Sequence, residues 1–178
     1  SYLQLSDLGH LPPQIAPYPC YSAGKFHSAG LHDLNPVTWW LLKERSIALL
    51  GPPPQELPFT VAWAVVTDYM HANLHSYWSQ FARPSRRLAS LLTDWGVEWA
   101  VLGICRLWHA LRLGAITSKV AAGEAMLAQA SPRWRKIVTE GLALRRGEAS
   151  RYRFRLLRAG AAMQFVRSMI GACSTTGD

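Results

Sequence analysis

The sequence predicts a mainly α protein: an antiparallel helical bundle preceded by a short N-terminal strand and an irregular segment. Three observations carry that prediction. From Phe59 onward apolar residues recur at helical spacing in successive segments. The connections between those segments are short and marked by Gly or Pro, which makes consecutive helices antiparallel neighbours. The first third lacks this periodicity and is rich in Pro, Gly, Tyr and His.

Taken in order, residues 1–8 (SYLQLSDL) alternate apolar and polar side chains in a strand-like way. The chain opens on this pattern with no initiating Met, as the later part of a longer protein would. Residues 9–34 read as an irregular segment with a short strand around 24–27. Asp33 or Asn35 then caps a helix that begins at Pro36, where the missing amide does no harm, and runs to about Arg45. IALLGPPPQEL reads as a short apolar strand or turn and a Pro-rich break, which sets the expected division: residues 1–54 as one part and 55–178 as the helical bundle. Helices are expected at about 59–81, 96–113, 118–130, 132–145 and 148–170, with a minor piece at 88–92.

With 178 residues the chain is long enough to bury a proper core. Its 49% hydrophobic and 17% charged residues exclude a disordered tail. The formal charge of +8 favours anionic partners. Part of that excess, Arg151, Arg155 and Arg158, falls on one face of the last expected helix and reads as a solvated face rather than a nucleic-acid stripe, because no aromatic interleaving accompanies it. Cys20, Cys105 and Cys173 have neither CxxC nor metal-ligand spacing. No apolar run reaches the ~20 residues of a membrane span, and no signal-peptide pattern opens the chain. A cytoplasmic protein without a membrane partner is expected.

The chemistry concentrates in one stretch. Arg106 stands alone among Ala100, Val101, Leu102, Ile104, Cys105, Leu107 and Trp108, on a helix with almost no polar stripe. Gly114 ends that helix, and Thr117 or Ser118 caps the next, so Lys119 falls in a first turn where the helix dipole already concentrates positive charge. Two readings remain open: Arg106 pairs with an internal carboxylate while Lys119 points into water, or both converge on a bound phosphate or carboxylate. His71 and His75 share a helical spacing but lack a third ligand, so no metal site is assigned to them. The eleven acidic residues contain no Asp-x-Asp pair and no close cluster able to hold Mg²⁺. Nucleotide-binding Gly-rich loops and hydrolase elbows are absent as well.

Together, DLNPVTWWLLKERSIALLGPP and VLGICRLWHALRLGAITSKVAAGEAMLAQASPRWRKIVTEGLALRRG resemble the aminoglycoside (3'')(9) adenylyltransferases over nearly the whole chain. The resemblance implies that residues 1–54 are the end of an α/β nucleotidyltransferase domain and that the helices close over ATP and antibiotic. It implies that Arg106 and Lys119 contact the nucleotide phosphates. It places the family's general base just before Ser1 and leaves the Mg²⁺ ligands to the other domain. A family Trp that stacks on the antibiotic matches Phe26. A family Asp that pairs with the drug matches Gly96, with Asp94 and Glu98 nearby as substitutes, and a family Tyr near the nucleotide falls close to Leu144 and Arg145. The implied function is AMP transfer from ATP-Mg²⁺ to a hydroxyl of a small cationic polyol such as an aminoglycoside. The alternatives are a non-catalytic helical module that binds nucleotide or another anion, and nucleic-acid binding through the C-terminal arginines.

Overall fold

The computed structural model describes residues 2–12, 14–22, 24–31, 34–83 and 89–174. It is mainly helical with one small sheet, as the sequence predicts. The chain forms two compact units, Ser1–Tyr69 and Met70–Asp178.

In the first unit, residues 5–7 form a 3-10 turn rather than part of a strand. Only the Tyr2 N–H reaches the sheet, donating to the Pro19 carbonyl at 2.9 Å before the chain turns away, and Leu5 is left exposed. The sheet is an antiparallel hairpin of β1 (Tyr18–Ser22) and β2 (Lys25–Gly30), longer than the short strand expected. Tyr18 and Cys20 alternate inward from β1 onto Ile15, Leu3 and Leu34. Helix α1 (Pro36–Arg45) is capped by Asn35, whose Oδ1 accepts the Thr38 N–H at 3.1 Å; Asp33, the other cap considered, lies outside the described residues. Trp39 anchors α1, donating its indole N–H to the His10 carbonyl at 2.8 Å and meeting Phe59 edge-on. Residues 46–53 form no strand; Ile47, Leu49 and Leu50 are exposed, and a 3-10 turn at Pro54–Glu56 follows.

Helix α2 (Trp63–Asn73) crosses the division between the units. The single regular helix expected over 59–81 is interrupted, because Leu74–Trp78 widens into a π-helical turn before Ser79–Phe81 resumes α geometry. The wide turn lets the Ser79 hydroxyl donate to the Leu74 carbonyl, five residues back, at 3.0 Å. It also brings Trp78 onto Trp99, their rings stacked at 5.4 Å.

The second unit is built around α3 (Asp94–Leu113), a largely buried helix capped by Thr93 and closed by Gly114 in left-handed geometry. Around it pack α4 (Lys119–Gln129), α5 (Pro132–Arg145) and α6 (Arg155–Ser174). Helix α5 runs against α3, with Gly141 facing Val101 and Leu102. Helix α6 runs against α5, pairing Arg158 with Glu140 at one end and Phe165 with Trp134 at the other. Close approach of α4 depends on Gly123, where a Cβ would lie 2.8 Å from Leu142 and 2.9 Å from Leu102. Of the minor piece expected at 88–92, Leu88 lies outside the described residues.

The last helix starts at Arg155, seven residues later than the spacing suggests. The cause is the buried Glu140 carboxylate, which accepts the Ser150 hydroxyl at 2.6 Å and the Arg151 amide at 2.7 Å and so holds the preceding segment as a loop. Arg158 corrects the reading of a solvated face: it is 1% exposed, while Arg151 and Arg155 remain exposed.

Candidate functional site

Three helices bring charged groups to one place in the second unit. Ser118 caps α4, its hydroxyl accepting the Ala121 N–H at 3.1 Å, so Lys119 is the first helical residue. The Lys119 and Val120 amides lie beyond the reach of any intrahelical carbonyl and face out of the helix start. Lys119 Nζ donates to Glu98 Oε1 at 3.0 Å, and Arg145 Nη1, from the last turn of α5, stands 3.6 Å from the same oxygen. The Glu98 side chain is 8% exposed, Lys119 21% and Arg145 52%. One buried carboxylate thus holds two outward-reaching cations, with a formal surplus of one positive charge. A point-charge ammonium and a planar guanidinium beside free amides suit phosphate oxygens.

The reading in which Arg106 pairs with an internal carboxylate and Lys119 points into water describes neither residue. Lys119 does not point freely into water; it leans on Glu98. The Arg106 side chain is half-buried and has no hydrogen bond or ion pair with any described residue. It lies eight residues beyond Glu98, about 12 Å further along α3 and about 80° around it, on the stripe that carries Trp99. The geometry therefore joins Lys119 to Arg145 and Glu98, and sets Arg106 along a neighbouring face.

The acidic candidates separate as well. Asp94 opens α3 with 61% of its side chain exposed, and its Oδ1 accepts Arg158 Nη2 at 2.7 Å. Exposed Trp95 follows it and stacks on Trp99 at 6.2 Å. Gly96 has no room for any side chain, because a Cβ there would meet the Ser90 carbonyl oxygen at 2.0 Å. Phe26, on β2 in the first unit, presents a ring that is 63% exposed. Among the described residues no three His, Cys, Asp or Glu side chains come together as a metal site, and no helix is long and apolar enough to cross a membrane.

Spacing alone misses Arg145 as a partner of Glu98 and misses the Glu140–Arg158 pair. A signal for both carboxylates is present in the sequence: Glu98 and Glu140 interrupt runs whose neighbours, Val97, Ala100 and Val101 or Ile137, Val138 and Gly141, are buried core positions. A carboxylate in such a run needs cations to hold it.

Residues 78–171, just over half of the chain and nearly all of the second unit's described helices, match the family model for the C-terminal domain of aminoglycoside adenylyltransferase. No curated protein matches the chain.

Proposed function

The chain belongs to the aminoglycoside adenylyltransferase family and carries its C-terminal domain, and from that premise we propose that the second unit binds the phosphates of ATP and the acceptor during AMP transfer to an aminoglycoside-like hydroxyl. The observation that carries the reading is the convergence of Lys119 and Arg145 on Glu98 at the start of α4, with positive charge left over. When bound, ATP with Mg²⁺ supplies an adenylyl group for the acceptor and leaves as pyrophosphate. Lys119 and Arg145 orient the phosphates and offset the charge that grows on the departing pyrophosphate. Arg106, without a described carboxylate partner, is a third cation for the same triphosphate. The metal ligands and the general base belong, in this reading, to the nucleotidyltransferase domain of residues 1–54 and what precedes it, with residues 55–178 as the helical domain.

On the acceptor side, Asp94 supplies the carboxylate for a cationic polyol, in place of one at Gly96, where the Ser90 carbonyl forbids a side chain. Glu98 is a substrate contact only through the cations it holds. The exposed Phe26 ring offers an apolar face for a sugar. Such an enzyme works in the cytoplasm, where ATP is abundant.

The test is an assay of the complete polypeptide with ATP, Mg²⁺ and a panel of aminoglycosides, measuring pyrophosphate release. Acceptor-dependent release is the expected result. ATP binding without release for any acceptor would favour a nucleotide-binding module, and no ATP binding at all would refute both readings.

A further inference from the structure

A second site lies at the other end of the same helices. The ends of α3, α4 and α6 and the start of α5 line an open cleft of about 470 Å³, a size that fits a small molecule. Its walls include the indoles of Trp108 and Trp134 and the thioethers of Met126 and Met169. These are flat or deformable apolar surfaces suited to a planar ring. Arg112 stands fourteen residues after Glu98 along α3, about 21 Å away, so an occupant here would not touch the Lys119 cluster.

The charge in this cleft decides what kind of ring it takes. Among the described residues lining it, Arg112 alone is charged, and no carboxylate joins it. The guanidinium is oriented but not neutralised: its Nη2 donates to the Ala172 carbonyl at 3.1 Å, an uncharged acceptor, and no ion pair to a described residue accompanies that bond. An Arg fixed by a carbonyl at the rim of an aromatic cleft keeps donors for a carboxylate and repels a cation. We propose that this cleft is a second ligand site, separate from the nucleotide and acceptor, that takes a planar aromatic monoanion with its ring between Trp108 and Trp134 and its carboxylate on Arg112.

The experiment titrates the full chain with 2-naphthoate and, separately, with the neutral 2-naphthalenemethanol, following the tryptophan indole N–H signals by NMR. Expected are saturable shifts of Trp108 and Trp134, with Trp95 unmoved, and affinity for the alcohol weaker by about tenfold, the worth of a charge-assisted hydrogen bond. Arg112→Gln should weaken 2-naphthoate by about the same factor. Ala172→Phe, which fills the space but keeps the backbone carbonyl that Arg112 donates to, should abolish binding while circular dichroism stays that of the parent. Saturating ATP should leave the titration unchanged; that arm holds whether or not the chain transfers AMP. Absence of saturable binding, equal affinity for acid and alcohol, or full affinity in Arg112→Gln would each overturn the proposal.

Discussion

Two charged clusters in the second unit begin from the same element, a carboxylate on a buried helix face, and end in opposite states. Around Glu140 the donors are complete: Ser150, the Arg151 amide and Arg158 all serve the carboxylate, and Arg158 also reaches Asp94 and the Leu92 carbonyl. Among the described residues, the Arg158 Nε is the one buried side-chain polar atom left without a partner. Around Glu98 the donors are fewer and longer-ranged, and both cations are partly exposed. The first cluster closes a loop onto the bundle and leaves its surplus negative charge on exposed Asp94. The second leaves its surplus positive charge at the start of α4. Burial decides the difference: a fully desolvated ion pair must be satisfied internally or it unfolds the protein, whereas a pair at the edge of water retains charge for a ligand.

Breaking the buried cluster should have the largest effect on stability. Arg158→Met leaves Glu140 charged and uncompensated, which costs about 3–5 kcal/mol. The paired change Arg158→Met with Glu140→Leu should recover most of that loss in urea unfolding, since it removes both desolvated charges. Glu98→Gln should cost about 1–3 kcal/mol, less than Arg158→Met because its partners keep contact with water. If Glu98→Gln proves the more destabilising of the two, the contrast between a satisfied and an open cluster fails.

Smaller effects sharpen the contrast. Arg146 and Glu124 meet at 2.7 Å with both side chains about half exposed. Arg146→Ala should therefore change stability by no more than about 1 kcal/mol and leave ATP affinity unaltered. The dryness of the α3–α6 interface has its own readout. Burial pushes the Cys105 thiol far up, and pushes Cys173 up to about 11, with nearby Arg112 acting in the other direction. A raised thiol pKa keeps the unreactive protonated form, so at pH 8 both should resist iodoacetamide in the native protein and react once it is unfolded. Rapid native alkylation of either would show an interior more open than the packing implies.

Local chemistry made much of this fold legible in the sequence. Asn35 before Pro36, Gly114 after Leu113 and Ser118 before Lys119 each satisfy a helix end by a contact within a few residues, and each stands where those rules put it. The bounds of α5, Pro132–Arg145, follow from the same signals. What spacing could not supply is pairing at a distance. Arg158 reads as a surface residue only while the helix is taken to start at Glu148; the long-range hold of Glu140 on residues 150 and 151 moves that start to Arg155 and turns Arg158 inward. The Lys119–Glu98 contact likewise depends on how α3 and α4 pack, which no local signal encodes. Conversely, the strand-like alternation at residues 2–8 meets β1 through one bond, Tyr2 N–H to the Pro19 carbonyl at 2.9 Å, and then turns away at residues 5–7.

The central claim is that the open cluster binds nucleotide phosphate. Its most direct measurement is the affinity of the complete polypeptide for ATP, by calorimetry, in the parent and in Lys119→Ala and Arg145→Ala. Each substitution should weaken binding by about tenfold; Arg145→Ala should leave stability within about 1 kcal/mol of the parent, and Lys119→Ala, which takes the nearer cation from buried Glu98, should cost about 1–3 kcal/mol without unfolding the protein. ATP affinity unchanged in both variants would contradict the account.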